Sequence, residues 1–152
     1  MKKVLFALLL LSVTAAFSVA QAQSPVSWKF TSKKVSDKVY EIHAIATLEN
    51  GWHLYSQNQP DDAIAIPTKF SFVSNPLVKL DSKVSEVGKL EKFHDKSVDI
   101  SANQYSNKVT FVQKITLKVS AKTNISGSVT YQTCNDKECL PPKKVPFKVN
   151  LG

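Results

Sequence analysis

The sequence predicts an all-β chain, an antiparallel β-sandwich that is immunoglobulin-like in outline. Three observations carry that expectation. Apolar and polar residues alternate with a period of two, the alternating runs are short and bounded by turn residues, and no stretch of helical length beyond the N-terminus shows a 3.6-residue period.

The N-terminus stands apart from this pattern. Met1-Lys2-Lys3 is a short cationic start, an apolar run fills 4–17, and Ala20-Gln21-Ala22 supplies the small-x-small motif that signal peptidase prefers. Residues 1–22 therefore read as a cleaved export signal, and residues 23–152 as one domain. The apolar run is shorter than the ~20 residues needed to span a bilayer. No cysteine lies near the cleavage point to take a lipid, and no later segment is apolar enough to cross a membrane, so no stable membrane insertion is expected.

The strands follow in order. A first short strand is expected at 28–31. From Tyr40, one face carries Tyr40, Ile42, Ala44, Ala46 and Leu48, and the other Glu41, His43 and Thr47. Short strands are expected at 52–55, 68–73 and 77–80. From Val109 the inward set is Val109, Phe111, Ile115, Leu117 and Val119, opposite Thr110, Lys114, Thr116 and Lys118. A strand at 125–132 precedes the last one, where Val145, Phe147 and Val149 alternate with Lys144, Pro146 and Lys148. Pro146 cannot donate to a ladder, which places that strand at a sheet edge. Seven or eight such strands make one compact unit, with no internal repeat and no low-complexity linker.

Composition narrows the function. The 20 basic residues are all lysine, against 12 acids. Nucleic-acid readers depend on the bidentate guanidinium of arginine, and these lysines are scattered, so a solvated lysine surface is expected and nucleic acid is not a partner. No Gly-x-Ser-x-Gly elbow supports hydrolase chemistry.

The only two cysteines, Cys134 and Cys139, lie in the segment Tyr131-Gln132-Thr133-Cys134-Asn135-Asp136-Lys137-Glu138-Cys139-Leu140-Pro141-Pro142. In an exported chain such a pair can form a disulfide. It falls where a strand gives way to a polar turn, so it sits on a hairpin-like tip and not across two sheets, as the immunoglobulin bridge does. Spacing alone leaves three readings open: a structural staple, which is the commonest in exported proteins, a redox pair, or a metal site. Closing a ring of about six residues removes only about 2 kcal/mol of denatured-state entropy, a small return for a staple. A metal site would draw on His43, His53 or His94, and the CxxxxC spacing matches no common zinc pattern. His53, between Trp52 and Leu54, reads first as a hydrogen-bonded structural imidazole; His94 with Asp95 reads as solvated loop, or else as a base near the thiols. Asn124-Ile125-Ser126 is a glycosylation sequon with meaning only in a glycosylating host.

Tyr131-Gln132-x-Cys134, the polar insert and Cys139-Leu140-Pro141-Pro142 together resemble the active-site signature of the N-terminal periplasmic domain of the thiol:disulfide interchange protein DsbD. Gly51-Trp52-His53-Leu54-Tyr55 is similar to that family's Gly-aromatic-aromatic-Leu-Tyr strand, and Val109-Thr110-Phe111 after Tyr105 to the strand before its cysteine hairpin. The resemblance implies a periplasmic immunoglobulin-like domain with no cofactor. It implies electron relay from a thioredoxin-like or membrane-bound reductant to thioredoxin-like and other exported oxidoreductases, with the domain acting as a monomer in protein-disulfide reduction. By the same resemblance Cys139 forms mixed disulfides, Cys134 resolves them, and Tyr131 shapes the site. The family shields its cysteines with a cap loop bearing an aromatic residue; the corresponding stretch, 93–100, offers Phe93 or Val98. Two departures stand out. The insert is one residue shorter than usual in the family, and the family's membrane domain and C-terminal thioredoxin-like domain have no counterpart in these 152 residues. A domain acting alone would need its reductant from a separate protein. The alternative is an immunoglobulin-like binding module whose disulfide stiffens a recognition loop.

Overall fold

A computed structural model describes residues 24–152; the expected export signal and its cleavage point lie outside the described residues. Twelve strands follow one another: β1 (Val26–Ser36), β2 (Val39–Leu48), β3 (His53–Tyr55), β4 (Lys69–Phe72), β5 (Val78–Leu80), β6 (Ser85–Gly88), β7 (Glu91–Asp95), β8 (Ile100–Ser106), β9 (Lys108–Leu117), β10 (Thr123–Tyr131), β11 (Thr133–Cys134) and β12 (Lys143–Leu151). Every pairing is antiparallel. The result is the all-β, immunoglobulin-like architecture that the alternation predicts.

The strands form three sheets. The largest runs β1-β2-β9-β5, with β6 pairing further along β9; a second runs β12-β10-β4, and a third β11-β3-β8-β7. The first two sheets bury Tyr40, Ile42, Ile115, Leu117, Ile125, Phe147, Val149 and Leu151 between them. Phe30 stacks on Phe147 with ring centroids 4.8 Å apart, tying β1 to β12 across that layer. A second core group, with Leu54, Tyr105, Phe111 and Tyr131, joins the third sheet to both others. Trp28 closes it, its ring 5.3 Å from Tyr131 and 5.9 Å from Phe111. Pro146 lies on β12, an edge strand as expected.

The inward set of β2 is buried throughout, as the alternation predicts. On β9 two details differ. The strand ends at Leu117, and Val119, expected inward, is 48% exposed because the chain has already turned away. The inward slot between Phe111 and Ile115 holds Gln113, whose amide is satisfied by donating to the carbonyls of Ser82 and Lys114, both at 2.8 Å. The larger difference is over 85–106. Residues 93–100 are no open loop: β7 and β8 form a hairpin closed by the Asp95–Ile100 pair, with only 96–99 in the turn and Asp99 at a φ of 54°.

Candidate functional site

The third sheet carries the cysteines because the chain changes sheets at Gln132. β10 ends at Tyr131 against β12, and β11 begins at Thr133 against β3. Gln132 fixes this corner by donating its side-chain amide to the Leu140 carbonyl at 3.2 Å.

Beyond the corner the chain folds into a tight hairpin. The Leu140 N–H donates to the Thr133 carbonyl and the Asn135 N–H to the Glu138 carbonyl, each at 2.9 Å. Cys134 and Cys139 thus form a non-hydrogen-bonded antiparallel pair, the position where opposed backbones lie closest. Their Cα atoms are 4.0 Å apart, and a disulfide joins them. Asn135 organises the turn: its Oδ1 accepts from the N–H groups of Lys137 and Glu138, both at 2.8 Å. That local bonding is the habit of asparagine in turns. The bond therefore bridges residues that backbone hydrogen bonds already hold together.

The two sulfurs have unlike surroundings. Cys134 is 2% exposed and packs with Tyr55, Ala102 and Ala65, whereas Cys139 is exposed at the hairpin tip. Register explains the floor beneath Cys134. It pairs with His53, His53 with Ser106, and Tyr55 with Gln104. Directly opposed residues share a face of an antiparallel sheet, so Cys134, His53, Tyr55, Ala102 and Phe93 all lie on one side, while Leu54, Thr133 and Tyr105 point to the core.

Phe93 and Val98 are 49% and 60% exposed, and they line a cavity of about 220 Å³ with Tyr55, Ile64, Ala65 and Ala102. Tyr55, Ala65 and Ala102 also pack against Cys134, so the cavity adjoins the floor of the site, although neither cysteine lines it. Tyr131 is placed elsewhere: it is buried in the core beneath the corner, its hydroxyl 3.4 Å from Ser24 Oγ. His94 falls on the opposite face from Phe93 and lies 3.1 Å from Ser101 Oγ, and His43 lies 3.0 Å from Glu41. Of the histidines, only His53 stands beside the cysteines.

Residues that the alternation left unassigned build the wall. Gly51, with φ of 81°, allows the turn in which the Trp52 N–H reaches the Glu49 carbonyl, and this aims β3. After β3 the chain follows β8, held by the Gln59 side-chain amide, which donates to the Asn103 carbonyl at 2.7 Å and accepts from its N–H at 3.0 Å. The Glu86 carboxylate accepts from Ser56 Oγ, the Gln57 N–H and the Tyr105 hydroxyl at 2.7, 2.6 and 2.8 Å. Burial, and then Glu86, push the Tyr105 phenol well above its ordinary pKa. Burial likewise raises Tyr55 and lowers His53.

An immunoglobulin-like sandwich with a half-exposed disulfide on a hairpin tip has the form of a thiol–disulfide exchange domain. A family model described as the N-terminal part of the thiol:disulfide interchange protein DsbD matches residues 19–151, and the chain belongs to that family. Among solved structures it is similar to the reduced form of the DsbD N-terminal domain of Neisseria meningitidis, at TM-score 0.54 and 14% identity, covering 82% of this chain and 83% of that one. The Neisseria DsbD N-terminal domain in complex with the PilB N-terminal domain matches at TM-score 0.52 and 15% identity, over 84% and 87% of the chains. The N-terminal periplasmic domain of ScsB from Proteus mirabilis matches at TM-score 0.51 and 16% identity, over 83% of this chain and 44% of that one. A comparison with curated proteins finds no match. Among the described residues no helix is long and apolar enough to cross a membrane.

Proposed function

We propose that Cys134 and Cys139 are a redox-active pair through which this domain relays two electrons in the periplasm. A thioredoxin-like or membrane-bound reductant is the donor, and exported thioredoxin-like oxidoreductases are the acceptors. The carrying observation is the division between an exposed Cys139 and an enclosed Cys134 within a ring that the fold hardly needs.

In the reductive half, a thiolate of the donor attacks Sγ of Cys139. A mixed disulfide forms, the Cys134–Cys139 bond breaks, and its electron pair stays on Sγ of Cys134. The donor's second thiolate then attacks its own sulfur in the mixed disulfide, leaving the donor oxidised and both cysteines reduced. Passing electrons onward reverses these steps with an oxidised acceptor. Phe93 and Val98 shield the pair between encounters, and the cavity they line with Tyr55 and Ile64 offers an apolar floor to an incoming partner. Tyr131 supports the corner from below.

The test is the reduction potential of the domain, measured by equilibrating it with thiol buffers and counting free thiols. A value within the range of exchange proteins is expected. A potential well below about −300 mV, typical of structural bonds, makes the disulfide a stiffener of a binding module instead.

A further inference from the structure

His53 is the direct cross-strand partner of Cys134, and Ser106 is its partner on the other side. Opposed side chains on one face have Cβ atoms about 4.5–5.5 Å apart, so the imidazole stands beside the enclosed cysteine. Its Nε2 lies 3.4 Å from the Tyr55 hydroxyl, and the two rings meet edge to face at 5.3 Å. The charged groups that face it come from two further elements. Asp136 lies in the turn between the cysteines, and Glu91 of β7 accepts a hydrogen bond from Ser106 Oγ at 2.9 Å. Burial, the larger effect, lowers the imidazole pKa, and the two carboxylates partly restore it.

We propose that His53 exchanges the proton that Cys134 gains or loses each time the disulfide opens or closes, an assignment that rests on the redox reading above. When an external thiolate attacks Sγ of Cys139, the S–S bond breaks and its electron pair remains on Cys134. A thiolate at a site 2% exposed is poorly solvated. Transfer of the imidazolium proton to that sulfur neutralises it and leaves neutral imidazole. In the oxidative half the neutral imidazole takes the proton back, and the Cys134 thiolate attacks the mixed disulfide on Cys139. The external dithiol is the only co-reactant.

The sign of the pH dependence follows. Opening needs imidazolium and gains as pH falls through the His53 pKa; closing needs neutral imidazole and gains as pH rises. Because burial lowers that pKa, the crossover lies on the acid side of ~6.5.

The experiment measures the rate of reduction of the domain by dithiothreitol from about pH 5 to 9, divided by the thiolate fraction of the reductant. The corrected wild-type rate should climb as pH falls, by about 10²-fold, the low end of what positioned proton transfer contributes. His53→Phe keeps a ring opposite Cys134 and should flatten the profile; His53→Gln, which keeps a hydrogen-bonding group beside Tyr55, should do the same. A flat corrected profile in the wild type, or profiles that superimpose in wild type and folded variants, overturns the assignment of His53 and leaves the redox pair standing. Failure of dithiothreitol to reduce the wild type at any pH overturns both.

Discussion

Removing the disulfide measures how much the fold depends on it. In Cys134→Ser with Cys139→Ser, the loop-closure term is lost; for a ring of about six residues this is about 2 kcal/mol. The hairpin bonds from Leu140 to Thr133 and from Asn135 to Glu138, and the Asn135 side-chain cap, do not involve sulfur and should persist. Serine at 134 adds a second cost. That site is 2% exposed among Tyr55, Ala102 and Ala65, where an unpaired hydroxyl costs about 1–3 kcal/mol. The double-serine domain should therefore lose about 3–5 kcal/mol, and Cys134→Ala with Cys139→Ser only about 2. Against a typical domain stability of roughly 5–15 kcal/mol, the alanine–serine variant stays folded. Urea unfolding followed by circular dichroism, with the slope unchanged, reads the difference. An alanine–serine variant that is unfolded at room temperature, or that loses more than about 5 kcal/mol, would show the bond to be a staple and refute the reasoning.

Three further outcomes are expected. Cys134→Ser should accumulate a covalent adduct with a thioredoxin-like partner through the exposed Cys139, seen as a band lost on reduction, while Cys139→Ser gives little; equal trapping by both variants, or trapping by Cys139→Ser alone, refutes the role assignment. Trimming Phe93 and Val98 to alanine should speed alkylation of the reduced protein several-fold without changing the fold, since access limits thiol reactivity. Unchanged rates would leave Tyr55 as the shield, since Tyr105 points to the core. Glu86→Ala strands three donors, two of them on the buried residues Ser56 and Tyr105, and should cost about 3 kcal/mol in urea unfolding. A loss below about 1 kcal/mol would mean that the wall beside the site does not depend on that carboxylate.

The parts of this fold legible in the sequence are those stabilised by apolar burial on one face. β2 and β9 alternate because each has one wet and one dry side, and their inward residues could be named without a structure, apart from Gln113. Its slot is read as a break by any apolar pattern, yet hydrogen bonds make an amide tolerable there. Val119 shows the opposite failure, since alternation continues in sequence after the strand has ended in space. β6, β7 and β8 left little trace. Ser85–Gly88 and Glu91–Asp95 are mostly polar and are held by ladder bonds and by Glu86 of β6, while Gln59 and Asp62 bond to the N–H groups of Asn103 and Ser101 on β8, with no buried stripe to mark them. The cysteines were legible as a pair, and Cys134, which follows the strand residues Tyr131 to Thr133, as the more enclosed of the two; what encloses it was not. What separates Cys134 from Cys139 is a pairing with β3 some eighty residues upstream, and register between distant strands is not a local property. His53 reads from its neighbours as an ordinary strand imidazole for the same reason.

That separation bears on how a disulfide can be both stable to the fold and open to exchange. The two large sheets and the aromatic cluster around Trp28 form the core without the cysteines. Cys134 lies on a two-residue strand at the edge of the third sheet and Cys139 bridges to it from outside that strand, the turn between them hydrogen-bonded through Asn135. Opening the bond therefore removes one constraint from a hairpin whose backbone partners are unchanged, and little of the global stability follows the redox state. A bond coupled to the core would resist reduction in proportion to the stability it supplied. A bond set apart from the core has its reactivity set by what surrounds the two sulfurs. Here that means exposure at Cys139, and enclosure by Tyr55, Ala102 and Ala65 at Cys134, whose cross-strand partner is His53.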